Sequence, residues 1–296
     1  MQAPRVIDAH SHMWQGPAPE GQLKTSVQDL NRDPRELAGE LQRLGVEKVV
    51  TFTQEMTRVW REWLGSNPLT IALQQHWPEV VLGVFGAEPL DAQDRLNAPR
   101  LEEFQAAVRE HHVHGILFTP PYGHYYSTDV RAYPFYQKAQ ELGVPVIFHH
   151  AAQFGRPVLC PLKYARPWLL DDIAIDFPGL RVLVEHMGYP WTQEVLALMA
   201  HAPNVYTDIS MLQRRPILLA WNLTMAREYG MLDRVVWGTD YVGDDHAAYV
   251  ARAERDIAFV RNDLNGYLAR SGWPTLSEEE IDSILRRNAM KLYKLD

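Results

Sequence analysis

Short runs of β-branched and other apolar residues recur along the chain at residues 5–9, 48–53, 80–86, 115–118, 144–149, 181–186, 204–208 and 234–238. Successive runs start about 25–45 residues apart, which leaves room for one helix between each pair, as in a βα unit. The segments between them carry helical patterning. Residues 34–45 place Leu37, Leu41 and Leu44 on one face, with Gly45 as a stop. Residues 100–110 do the same with Leu101, Phe104 and Val108. Residues 130–143, 191–200 and 217–230 follow the same logic.

Eight strands, each followed by a helix, predict an α/β protein built as a single (β/α)₈ TIM barrel over residues 1–296. The runner-up is an open doubly wound sheet, which would carry a Gly-rich phosphate loop after its first strand. Here the first run ends in His-Ser-His instead. Near the C-terminus, Ser277 with Glu280 three residues on predicts a capping box. Ile281, Ile284, Leu285, Ala289 and Leu292 then mark one apolar face, so a C-terminal capping helix closes the barrel.

The 296 residues are 46% hydrophobic and 22% charged, with a net charge of −8, which fits a globular chain with ample core. No Lys/Arg-rich run occurs, so nucleic acid is not an expected partner. No run of about 18 apolar residues occurs, so no membrane span is expected. The first residues lead into a strand without an apolar leader region. Cys160 is the only cysteine, which excludes a thiolate cluster within one chain and fits a cytoplasmic location.

Chemistry enters at the strand ends. His10 and His12 follow the first run, and alternate residues of an extended chain share a face. His149-His150 end the fifth run and His186 the sixth; Asp240 follows the eighth. Each alone has a bland reading, as a partner of a backbone carbonyl or a turn cap. Four sites at the same end of one barrel converge in space. Three imidazoles and a carboxylate suit zinc, with manganese or iron as alternatives. Strand alternation points Glu185 away from His186.

These residues also carry a resemblance. Ile7-Asp8-Ala9-His10-Ser11-His12, Glu185-His186-Met187-Gly188, Asn204-Val205-Tyr206-Thr207-Asp208-Ile209-Ser210 and Trp237-Gly238-Thr239-Asp240 occur in this order. With the fifth run and Asn288-Ala289, the set resembles the amidohydrolase superfamily over nearly the whole chain. The branch it resembles is that of aminocarboxymuconate-semialdehyde decarboxylase and related decarboxylases, hydratases and lactonases. The resemblance implies that His10, His12, His149 and Asp240 hold one divalent metal ion, with Asp240 also a catalytic group and His186 the catalytic acid/base. It favours His149 over His150. Binuclear relatives carry a carboxylated lysine at the end of strand four, where this chain reads Gly115-Ile116-Leu117-Phe118-Thr119-Pro120. One ion per chain, zinc or manganese, is therefore implied; some lactonases of the branch work without one.

Arg58, Arg156, Arg214 and Tyr125 are the substrate-binding candidates, since an arginine fork holds a carboxylate well. The expected partner is a small molecule, a carboxylic acid among the options; a homodimer is compatible with the sequence. Two reactions compete: metal-dependent hydrolysis of a small ester, lactone or amide through metal-bound water, and non-oxidative decarboxylation of an unsaturated or aromatic acid. A binding protein that kept the barrel is the third reading. His111, His112 and His114 precede the fourth strand, at the stability face, and are read as non-functional.

Overall fold

The computed structural model describes residues 5–153 and 160–295. Eight strands lie parallel and neighbour one another in chain order: β1 (Val6–Met13), β2 (Val46–Phe52), β3 (Val81–Gly86), β4 (Ile116–Phe118), β5 (Val146–Phe148), β6 (Val182–Val184), β7 (Val205–Asp208) and β8 (Val235–Val236). A ninth short strand, Val242–Gly243, pairs with the far side of β1. The edges meet, because the Ala9 N–H donates to the Trp237 carbonyl at 3.0 Å and the Asp240 N–H to the His10 carbonyl at 2.8 Å. The sheet curls into the α/β barrel that the spacing of the apolar runs predicts. Helices Ala38–Leu44, Asn67–His76, Ala98–His111, Tyr133–Leu142, Asp171–Asp176, Thr192–His201, Pro216–Glu228 and His246–Ala258 follow the successive strands.

Two apolar layers hold the fold. The larger lies between strands and helices and contains Val49, Phe85, Phe118, Phe148, Val184 and Trp237. The smaller fills the barrel and draws Ile7, Val50, Leu82, Leu117, Ile147, Leu183, Tyr206 and Val236 from the eight strands. The last helical turns plug its lower end, with Ala289, Leu292 and Tyr293 in that same layer. The Ser277 capping box forms, each side chain reaching the other's backbone N–H. One fully buried leucine contributes about 1.5–3 kcal/mol, so Leu292 alone stabilises the closed barrel by about that amount.

The differences from the sequence reading have local causes. β1 runs to Met13 rather than stopping at residue 9. Between Asp8 and Ser11 it holds one more residue than its partner β2, a bulge. The bulge resets the alternation, so Ile7 and Ala9 line the interior and His10 and His12 stand above them on the same side. A small antiparallel sheet of Pro17–Pro19, Gln54–Met56 and Glu62–Leu64 covers the loops after β1 and β2. Its proline-bounded strand gives no strand signal. No helix among the described residues is long and apolar enough to cross a membrane.

Candidate metal centre

The strand ends bring His10, His12 and Asp240 into one cluster and His149, Glu185 and His186 into an adjoining one. His10 Nε2 lies 3.4 Å from Asp240 Oδ1 and 3.8 Å from Glu185 Oε1; His12 Nε2 lies 3.8 Å from the same Asp240 oxygen. All of these residues are buried or nearly so. Gly238 makes the close packing possible. A Cβ there would stand 2.6 Å from His10 Cβ and 2.7 Å from His10 N, so only glycine lets β8 pass β1 at this level. Asp240 has a left-handed backbone (φ 49°), which turns its carboxylate back over the barrel mouth. Arg252 anchors this turn by donating to the Asp240 carbonyl at 2.9 Å.

The Nδ1 atom of each histidine is tied down. His12 Nδ1 lies 2.9 Å from the Phe52 carbonyl, His10 Nδ1 3.0 Å from Asp208 Oδ2, and His149 Nδ1 2.6 Å from Glu185 Oε2. Carbonyls and ionised carboxylates only accept, so each Nδ1 carries the proton and Nε2 is left as an acceptor in the neutral ring. His10 Nε2 and His149 Nε2 are buried without a hydrogen-bond partner among the described residues, as is Glu185 Oε1. Acceptor atoms from His10, His12, Asp240 and Glu185 therefore face one another. Such an arrangement needs positive charge among them, which a protonated imidazole or a bound cation supplies, and mixed imidazole and carboxylate donors could hold a metal ion such as zinc or manganese.

Without an ion, the surrounding carboxylates place positive charge on the His10 ring itself. Burial pulls the His10 ring toward neutrality, yet Glu185 and Asp208 overcome it and hold its pKa well above the usual histidine value. Burial lowers His12 to about 4 and also lowers His186. Burial works against the Asp240 carboxylate, but His10, His186 and His12 keep it far below the usual range.

Glu185 departs from the sequence expectation. Leu183 faces the interior, so alternation brings Glu185 inward as well. The strand then ends, and His186 (φ 56°) and Met187 (φ 50°) adopt left-handed backbone, which swings His186 onto the same side. Both side chains face the cavity. Asp208, on β7, is the other residue that sequence reasoning left without a role; it binds His10 and the His186 N–H. Its place at a strand end, level with the histidines, is the signal that could have found it. His150 turns away, with Nδ1 2.9 Å from the Arg166 carbonyl.

A cavity of about 190 Å³ opens over this centre, walled by Gln54, Tyr122, Gln153 and Met211 beside the histidines and carboxylates. Three of the four substrate-binding candidates lie outside the lining of this cavity. Arg58 is drawn to Asp94 on the outer side of the barrel mouth. Tyr125 is buried against Gly123, close to Glu88. Arg214 is exposed, at the end of the turn Leu212–Arg214 that carries Gln213. None of these three lines the cavity, and Arg156 lies outside the described residues.

The chain belongs to the amidohydrolase family, whose model matches residues 7–295. This is a family of enzymes, and the chain folds as an α/β barrel with a polar centre at its mouth. No curated protein matches the sequence. Solved structures with a similar fold include a probable 2-pyrone-4,6-dicarboxylic acid hydrolase from Acinetobacter baumannii with citric acid bound, 15% identical, with TM-score 0.65 over 98% of this chain and 100% of that one. A 5-carboxyvanillate decarboxylase from Novosphingobium aromaticivorans, complexed with manganese and a nitrobenzoic acid, is 15% identical, with TM-score 0.61 over 88% and 80% of the two chains. A 4-oxalomesaconate hydratase from Rhodopseudomonas palustris is 18% identical, with TM-score 0.62 over 98% and 95%.

Proposed function

We propose that this enzyme is a metal-dependent hydrolase of a small ester, lactone or amide. One divalent ion, zinc or manganese, would be held by His10, His12, His149 and Asp240. When bound, such an ion polarises a carbonyl and lowers the pKa of water to roughly 7. The observation that carries the reading is the convergence of imidazole and carboxylate ligand atoms, His10 Nε2 and Asp240 Oδ1 at 3.4 Å, beneath a cavity whose other carboxylate is that of Glu185. The Asp240 and Glu185 carboxylates offset the charge of a divalent ion, so the loaded cavity carries no surplus positive charge to hold an acid, while the amides of Gln54 and Gln153 suit neutral polar groups. His186, at the cavity edge, takes the proton from attacking water at Nε2 and returns it to the leaving oxygen or nitrogen as the acyl bond breaks.

Decarboxylation is the second reading, favoured by the manganese decarboxylase of similar fold. A panel of lactones, esters and amides beside unsaturated and aromatic acids separates the two. Hydrolysis places ¹⁸O from labelled water in the product. Turnover confined to the acids, with carbon dioxide released and no label incorporated, overturns the hydrolase reading.

A further inference from the structure

Asp208 and Ser210 stand between the proposed ion-binding group and the proposed proton-transfer group. Asp208 Oδ2 lies 3.0 Å from His10 Nδ1. Its Oδ1 accepts the His186 N–H at 3.1 Å, the Ser210 N–H at 2.9 Å and the Ser210 hydroxyl at 2.5 Å. Four donors on one buried side chain define an ionised, acceptor-only carboxylate.

That accounting fixes the serine. Its single hydroxyl proton goes to Asp208, so its lone pairs face the two nearby imidazole nitrogens. His186 Nδ1 is 2.8 Å from Ser210 Oγ and His10 Nδ1 is 3.2 Å from it. An oxygen that has spent its proton only accepts, so both Nδ1 atoms carry hydrogen. The Ser210 carbonyl, 3.3 Å from His186 Nδ1, is a longer, secondary contact to the same nitrogen, so the hydroxyl at 2.8 Å is the main anchor.

We propose that Asp208 and Ser210 are one positioning pair that presets two histidines at once, holding a proton of His10 and of His186 on Nδ1 so that each ring, when neutral, has its bare nitrogen at Nε2. His10 is thereby ready to bind a cation, and His186 starts each cycle as a proton acceptor. One carboxylate couples the two, so ion binding and proton transfer share an anchor. The consequence for catalysis rests on the hydrolase reading above; the tautomers themselves do not.

The test uses the full chain with ¹⁵N-labelled histidine, its ring nitrogens read by long-range ¹H–¹⁵N NMR before and after one equivalent of zinc. The signals are assigned by their loss in His10→Asn and His186→Asn. We expect His186 as the Nδ1–H tautomer in both states, and zinc to move the His10 Nε2 resonance. His186 with its proton on Nε2 overturns the proposal. Zinc that fails to reach His10, with the His186 tautomer as expected, overturns the metal-dependent reading and leaves the pairing at His186 intact. Zinc affinity, measured by competition with a chromophoric chelator, separates the partners. Asp208→Asn should weaken it by about 10–100-fold, and Ser210→Ala by less than about tenfold. Ser210→Ala should also bring the Nε2–H tautomer of His186 into view, and Ser210→Thr should restore the original. Equal zinc loss in Asp208→Asn and Ser210→Ala, with the His186 tautomer unmoved in both, reduces the pair to packing and overturns the proposal.

Discussion

The barrel carries a histidine cluster at each end, and the two differ in their partners. At the mouth, His10 and His149 lean on carboxylates, and His12 on a backbone carbonyl, with Nε2 atoms of His10 and His149 buried and unpaired. At the opposite end, His114 Nδ1 is 3.1 Å from Gln74 Oε1, and His111 Nδ1 is 3.0 Å from Gln75 Nε2. His112 is exposed and closes helix Ala98–His111 in a left-handed conformation. Gln74 also donates to the carbonyls of His111 and His112, so it staples the end of that helix. Three histidines within four residues make a turn there. Four histidines from three separate strand ends make a centre, because acceptors converge from independent directions with charge to neutralise.

The sharpest break of this comparison is removal of a mouth ligand. His10→Ala or Asp240→Ala should take the bound ion from about one per chain to near zero, read by elemental analysis after zinc-supplemented expression. His114→Asn should retain the full amount. Equal ion content in His10→Ala and His114→Asn would show that the mouth holds no ion through His10. Next in size is His186→Asn. Loss of a general acid/base costs about 10²–10⁴ in rate, and the ion should remain. Ion loss in parallel with activity would make His186 a ligand instead.

Much of this contrast was legible in the sequence, and the reason is geometric. Each βα unit ends its strand at the same side of the barrel, so residues just after apolar runs meet, as His10, His149 and Asp240 do, whereas those just before them, such as His114, lie at the far end. What escaped the pattern depended on single backbone residues. The bulge in β1 decides that His10 and His12 face inward beside Ala9. The left-handed turn at His186 decides that Glu185 and His186 share a side. Neither leaves a trace in a two-residue period. Arg58, Arg214 and Tyr125 lie outside the cavity lining for a different reason: their chain positions near the mouth say nothing of whether a side chain turns in or out, and Arg58 pairs with the exposed Asp94.

Glu185 sharpens the comparison further, since it supplies at the mouth what Gln74 supplies at the base. Glu185→Gln replaces the carboxylate on His149 Nδ1 with an amide, as in the lower cluster. Loss of such a carboxylate partner typically costs about 10–100-fold in metal affinity. Chelator competition measures it. Unchanged affinity would remove Glu185 from the ion-binding network.

The smallest expected effect lies at the base and concerns stability against pH. Burial lowers the His114 pKa from 6.5 to about 4, with Lys48 and His112 adding to the shift. In the unfolded chain the ring takes a proton near its ordinary value of about 6.5, whereas in the folded chain it stays neutral until about pH 4. Between these values the unfolded state binds more protons, so stability falls as pH falls through that window and is fully present above it. The size is on the order of 1–3 kcal/mol over the whole window, less where the ring reaches solvent. His114→Asn keeps a donor for Gln74 at the place of Nδ1 and removes the titration. Urea unfolding at intervals from pH 8 to 4 should give a wild-type curve that drops more steeply below pH 6.5 than the variant's. Other buried histidines titrate alike in both proteins, so the difference between the curves isolates His114. Parallel curves would mean that His114 takes up its proton equally in folded and unfolded chains, and the base cluster would then be as open to solvent as its sequence position allows.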